Sequence, residues 1–115
     1  MKVHHYHTSW GKDVIFEFID GLPKSERAEA LAILERLEEE GLSALEVLNT
    51  RQLIGKLWEI KFAKSNRIMY VVADKDNIYL VHACKKQKLK AEKFELAKAK
   101  KRIKALEKEL GKKFI

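Results

Sequence analysis

The chain has 115 residues, of which 46% are hydrophobic and 36% charged, with a net charge of +7. This size and balance fit one packed domain and exclude a disordered chain, and the single cysteine excludes an intrachain disulfide. No apolar run approaches the ~20 residues that span a bilayer, and the first residues do not resemble a signal peptide, so we expect a cytoplasmic protein with no membrane partner.

The N-terminal part of the chain predicts a short strand followed by a short helix. Lys2–Thr8 reads as an extended segment. Val14–Ile19 is apolar enough to form a helix, with Asp13 near its start. We expect Gly21 to end this helix in a left-handed conformation.

A longer helix follows, with Ser25 as its expected N-cap and Gly41 at its end. Apolar side chains recur there every three or four residues, which is the spacing of one buried helix face: Ala28, Leu31, Leu34 and Leu37. Apolar residues recur over residues 42–53, but their spacing follows neither a helical nor a strand period for long, so this region stays unassigned.

Three consecutive strands are predicted next, over Leu57–Phe62, Arg67–Ala73 and Ile78–Cys84, separated by short polar turns. In the first strand the side chains alternate, with Glu59 and Lys61 on one face. The other face is apolar: Trp58, Ile60 and Phe62. Strands joined by tight turns indicate an antiparallel meander.

The last part of the chain predicts a basic helix over about residues 90–111. Residues 85–115 hold 13 basic and 4 acidic side chains, whereas residues 1–84 hold 11 and 13. Such a concentration of charge is typical of binding to a polyanion, most often nucleic acid, or to an acidic protein partner, and it is also typical of a solvated lysine-rich helix face. These interpretations stay open. A narrow apolar seam runs along this helix, which we expect to pack on its own sheet rather than on a partner helix: Leu96, Ala99, Ile103, Leu106 and Leu110.

The element order β-α-α-β-β-β-α predicts an α+β domain with a mostly antiparallel sheet and helices on one face, leaving the other face open. Lys61, Arg67, His82 and Lys86 would then converge near one edge. Arginine and lysine stabilise the charge that builds up when a phosphodiester is cleaved, and His82 or Tyr70 could transfer protons. The alternative is that these are exposed strand residues without a role. No metal-ligand spacing or phosphate-binding glycine loop is recognisable, so we expect neither a metal nor a cofactor.

Several segments together resemble the HigB-like, phage-derived branch of the RelE/ParE toxin superfamily. The resemblance covers almost the whole chain, and the order and spacing of the segments are more specific than any one of them: Trp10–Val14 with Phe18–Leu22, Leu53–Lys61, Asn66–Val71, Leu80–Lys86 and Glu95–Leu106. By position, Arg67 matches the family directly and Lys61 stands where the family often has arginine. His82 and Lys86 match the end of the last strand, whereas Cys84 stands where phenylalanine is expected.

The resemblance implies a single RelE/HigB-like domain over residues 1–115, acting as the toxin of a type II toxin–antitoxin system. Such toxins are metal-independent endoribonucleases (mRNA interferases) that cut mRNA on the ribosome, and a small helix-turn-helix antitoxin neutralises them. Arg67 would stabilise the transition state, assisted by Lys61 and Lys86, and the basic helix region would hold RNA through Lys85, Lys88, Lys90, Lys93 and Lys101. Two alternatives remain: ParE-like inhibition of a topoisomerase, and a basic RNA-binding module.

Overall fold

The computed structural model describes residues 1–86 and 88–115, and in that part of the chain it contains a five-stranded sheet and four helices. In chain order the elements are β1 (Lys2–His5), α1 (Val14–Asp20), α2 (Lys24–Glu40), α3 (Leu42–Val47), β2 (Thr50–Ile54), β3 (Leu57–Phe62), β4 (Asn66–Asp74), β5 (Asn77–Lys85) and α4 (Leu89–Leu110). The α+β class is confirmed. The predicted order lacked α3 and β2, which the unassigned region 42–53 supplies. Among the described helices, none is long and apolar enough to cross a membrane.

The strands lie in the order β1-β5-β4-β3-β2. The chain from β2 to β5 forms an antiparallel meander, while β1 pairs with β5 in parallel at the sheet edge. The sheet is therefore mixed. Its antiparallel part agrees with the prediction, and the parallel edge strand was not anticipated.

Helices cover both faces of the sheet, so the prediction of an open face is wrong. Helices α1, α2 and α3 pack on the face that carries Ile60, Ile68 and Tyr70. Helix α4 packs its apolar seam on the opposite face, against Met69 and Val71. The reason lies in β4, where side chains of both parities are apolar and both faces must therefore be buried.

The ends of α1 and α2 show how local sequence sets the helices. Asp13 caps α1, accepting hydrogen bonds from the backbone N–H of Ile15 at 3.1 Å and of Phe16 at 2.9 Å. Gly21 ends it with a φ of −82°, so the expected left-handed conformation is not used. Helix α2 begins one residue before Ser25, with Pro23 at its N-cap, so the predicted cap is also wrong.

The turn between β2 and β3 meets the segment after α4. Gly55 has a φ of +55°, and a Cβ there would lie 2.6 Å from the carbonyl oxygen of Phe114. The N–H of Lys56 donates to that same oxygen at 2.7 Å, and the Glu107 carboxylate accepts from the N–H of Phe114 at 2.5 Å. Only glycine permits this close approach, which fixes the end of the chain against the sheet.

Candidate active site

The predicted cation pair exists, but it lies beneath a helix. In the β3–β4 register Lys61 stands directly opposite Arg67. Residues opposite each other in an antiparallel pair point to the same face, so the two side chains share a face as predicted. That face is the one covered by α4, and only 2% of Arg67 is exposed.

Two glutamates hold Arg67 in place. Its Nε donates to Oε1 of Glu59 at 2.5 Å, and its Nη2 lies 3.2 Å from Oε1 of Glu92 in α4. Glu59 is fully buried, and its other oxygen accepts from Nε of Arg51 at 2.9 Å. A buried carboxylate needs such partners because it has lost its hydration. Glu59 therefore fixes two arginines, one on each strand beside its own.

One nitrogen atom of the Arg67 guanidinium is not paired with either glutamate. Its Nη1 is buried and has no hydrogen-bond partner among the described residues. Arg67 lines a cavity of about 20 Å³ together with Arg51, Glu59, Lys61, Lys86 and Glu92. Basic side chains outnumber acidic ones around it, so the cavity carries surplus positive charge. An unpartnered guanidinium N–H beside surplus cations suits an anionic oxygen such as that of a phosphate.

A second polar group surrounds His82 on the same face. In the register His82 is opposite Met69, two residues along β4 from Arg67, and it is 5% exposed. Its Nδ1 lies 2.8 Å from Nη1 of Arg102, and its Nε2 contacts the carboxylate of Glu95. A guanidinium can only donate, so Nδ1 accepts and the ring proton sits on Nε2, which donates to Glu95. Burial lowers the pKa of His82 although Glu95 opposes the shift, and the ring is neutral.

Cys84 lies between the two polar groups. It pairs with Arg67 in the β4–β5 register and is buried. Burial, assisted by the nearby charge of Glu95, raises the pKa of its thiol to about 12. The thiolate that a nucleophilic cysteine needs is therefore absent at neutral pH.

The donor atoms of His82, Cys84 and Glu95 lie within 4.8 Å of one another. Imidazole, thiolate and carboxylate form a set that Zn²⁺ accepts. Binding through Nε2 would remove the ring proton while Nδ1 still accepts from Arg102, which would leave the imidazole with no proton. The Arg102 contact and the high thiol pKa therefore favour a network that holds a proton rather than a metal ion.

Residues 17–104 match the model of a family described as phage-derived protein Gp49-like (DUF891). The chain belongs to the Gp49-like family. This family is typically associated with RelE/HigB-type toxins, the group that the sequence resembles. A comparison with curated proteins finds no match. The matched residues of this Gp49-like chain include both polar groups but not Tyr6 and the turn that follows it.

Two predicted site residues lie elsewhere in the Gp49-like fold. Tyr70 is on the opposite face of the sheet, where burial raises its pKa to about 12 although a hydrogen bond to Thr50 opposes the shift. Nζ of Lys85 donates to Oδ1 of Asn66 at 3.0 Å and lies 3.8 Å from Glu26 of α2. The structure therefore separates both side chains from the Arg67 cavity.

The remaining predicted RNA contacts are exposed lysines at and along α4. Lys88 is the N-cap residue of this helix, and the other three lie on its solvent side: Lys90, Lys93 and Lys101. Their side chains are free to meet a polyanion. Their contact with RNA stays a prediction.

The acidic partners of the site were not among the predicted site residues. Glu92 and Glu95 are two of only four acidic residues after Cys84, and Glu95 stands beside Leu96 of the apolar seam. An acidic side chain on the buried side of a basic helix indicates a buried cation opposite, and this signal is available from the sequence. Arg51 gives no such signal, because it lies in the region without a period.

Proposed function

We propose that this Gp49-like protein is the toxin of a type II toxin–antitoxin system and a metal-independent endoribonuclease that cleaves mRNA on the ribosome. The proposal rests on one observation: Arg67 has a buried, unpartnered N–H beside surplus cations, with the His82–Glu95 pair on the same face. Cleavage of a phosphodiester builds negative charge on the phosphate oxygens. Cations already fixed in position stabilise that charge without reorganising.

The reaction suited to these groups uses the RNA itself as nucleophile. The 2′-hydroxyl attacks the adjacent phosphorus, the P–O2′ bond forms, and the P–O5′ bond breaks, leaving a 2′,3′-cyclic phosphate and a 5′-hydroxyl. The Glu95–His82 pair takes the proton of the 2′-hydroxyl and returns a proton to the departing 5′-oxygen, because both groups can exchange a proton across their hydrogen bond. Arg67 contacts the phosphate, and Lys61 and Lys86 balance its growing charge.

RNA can reach Arg67 only if Glu92 moves away. The first turns of α4 make few apolar contacts, since Leu89 is 79% and Phe94 59% exposed. Among the side chains of this helix whose burial the structure describes, Ala99 is the first that is fully buried. Polar contacts from Glu92 and Glu95 therefore hold this end of the helix, and a phosphate could replace the Glu92 carboxylate on Arg67. Segments with few buried contacts are the ones that open locally in a native protein.

The test is induced expression in a bacterial host, with growth and the ends of translated mRNA followed together. Arg67→Ala should abolish both arrest and cleavage, whereas Lys75→Ala, an exposed lysine in the β4–β5 turn, should leave both intact. Because Arg67 is buried, its variant is first checked by thermal unfolding. Lys61→Ala, at a partly buried position, provides a second variant and should cut cleavage about tenfold. A folded Arg67→Ala protein that still cleaves mRNA would overturn the proposal.

A second candidate function is binding without cleavage, and the burial of Arg67 beneath Glu92 favours it. The protein would then inhibit a topoisomerase in the manner of ParE, or act as a basic RNA-binding module. Arrest with intact mRNA and damaged DNA would support the first. Steeply salt-dependent RNA binding without arrest would support the second.

The proposed function also assigns partners and a location. A small helix-turn-helix antitoxin would neutralise the toxin, and ribosomal RNA would contact the exposed lysines of α4 and Lys85. Both partners place the protein in the cytoplasm. Co-expression with the product of the neighbouring reading frame should restore growth, and continued arrest in its presence would contradict this pairing.

A further inference from the structure

The turn over Thr8–Lys12, here called the N-turn, presents an aromatic side chain that is almost fully exposed. Trp10 is 94% exposed, the highest value among the large hydrophobic side chains of the described residues. The turn itself is well fixed, because the N–H of Gly11 donates to the Thr8 carbonyl and the N–H of Thr8 to the Lys12 carbonyl, both at 2.9 Å. These hydrogen bonds fix the backbone that carries Trp10, so the exposed indole projects into solvent from an ordered turn.

A cleft, here called the N-turn cleft, separates the N-turn from α4. It consists of two adjoining depressions of about 300 and 340 Å³, which share Lys98 and Arg102 as lining residues. The first also contains Lys12 and His82, and the second contains Lys101. The cleft thus runs from His82, at the candidate active site, towards the N-turn.

The cleft combines cations with aromatic rings. Four basic residues line it against one acidic residue, Glu17. The Arg102 guanidinium lies 4.8 Å from the centre of the Tyr6 ring, and Phe18 also lines the cleft. Cations bind phosphates, and flat aromatic surfaces stack with unpaired bases. Single-stranded RNA carries phosphates and bases in alternation, so it can contact both kinds of side chain. A protein partner that buried Trp10 would instead have to desolvate these lysines.

We propose that the N-turn cleft binds the stretch of single-stranded RNA next to the cleaved bond, with one unpaired base stacked on Trp10 and the backbone phosphates held by Lys98 and Lys101. This inference rests on the proposed function, because it takes the strand at His82 to be RNA. Trp10 lies outside the family-matched residues 17–104, whereas Lys98 and Lys101 lie within them.

The test uses Trp10 as its own reporter. Trp58→Phe leaves Trp10 as the only tryptophan, and the titrant is a 2′-O-methyl RNA oligonucleotide, which cannot undergo attack by its own 2′-oxygen. Stacking should quench the indole fluorescence. In wild-type protein, Trp10→Ala should weaken binding about tenfold, the usual effect of losing one stacked base. The control Leu31→Ala, which removes an exposed apolar side chain from α2, should leave binding unchanged.

Other outcomes separate this inference from the proposed function. A fully paired RNA duplex should bind without quenching, because its bases are not free to stack. Unchanged affinity of Trp10→Ala, or quenching as strong with duplex as with single strand, would overturn the inference even if mRNA is cleaved. Quenching by the single strand together with uncut mRNA would support the subsite and count against the endoribonuclease.

Discussion

Replacing Glu92 by glutamine should strengthen RNA binding, because it removes the charge that competes with phosphate for Arg67. Oε1 of Glu92 lies 3.2 Å from Nη2 of Arg67 and 3.7 Å from Nη2 of Arg51. At an effective dielectric constant of ~20 the shorter contact corresponds to about 5 kcal/mol of Coulomb energy. The Glu92 side chain is 32% exposed, so solvent screening and side-chain entropy reduce its net value to about 1 kcal/mol. RNA affinity should therefore rise about fivefold.

The assay for Glu92→Gln is fluorescence anisotropy with a labelled 2′-O-methyl RNA oligonucleotide. Glu109→Gln makes the same change of net charge at an exposed position near the far end of α4, so it controls for long-range attraction. Glu92→Gln should exceed this control. Equal effects would mean that only net charge matters, and weaker binding by Glu92→Gln would mean that Glu92 orients Arg67 for RNA instead of blocking it.

Three further predictions concern stability and the proton network. Gly55→Ala should lower the free energy of unfolding, measured with urea, by at least about 1 kcal/mol more than Gly111→Ala does. Both glycines have a positive φ, but only at Gly55 would a Cβ press against a carbonyl oxygen. Equal losses would contradict the clash. Tyr70→Phe should keep mRNA cleavage and lose about 1 kcal/mol of stability with its hydrogen bond to Thr50, and lost cleavage in a folded variant would contradict the assigned faces. Burial lowers the pKa of His82, so the stability it contributes is complete above about pH 6.5 and is lost as pH falls through the folded-state pKa. His82→Gln should reduce the pH dependence of the urea midpoint in that acidic range. An unchanged dependence would mean that another group causes the loss of stability.

Strands β3, β4 and β5 were predictable because alternation and turn residues act locally. The predicted bounds differ from the observed ones by no more than one residue at either end of each strand. The same local signal fails for β2 and α3, since these short elements take their form from the neighbouring strand and helix rather than from a period of their own. The parallel pairing of β1 with β5 depends on chain separated by more than half of the sequence, and no local pattern reports it.

The candidate site was predictable only in its cations. Lys61 and Arg67 share a face because of the β3–β4 register, which alternation within each strand does not fix by itself. The glutamates that hold Arg67 come from two different elements, and their meeting depends on which face α4 covers. The seam of α4 predicts that the helix packs on the sheet, and the apolar side chains on both faces of β4 indicate a second helical layer. The prediction of an open face was wrong because the second apolar face of β4 also needs a cover.

The parallel pairing of β1 with β5 has a consequence for the nascent chain. A ribosome makes β1 first, and this strand has no partner until β5 has left the exit tunnel. Helix α4 emerges later still, so the arginines and the glutamates that accompany them assemble only after both β5 and α4 have emerged. An interrupted polypeptide would lack the layer over Met69 and Val71 and would expose that apolar surface to chaperones and proteases.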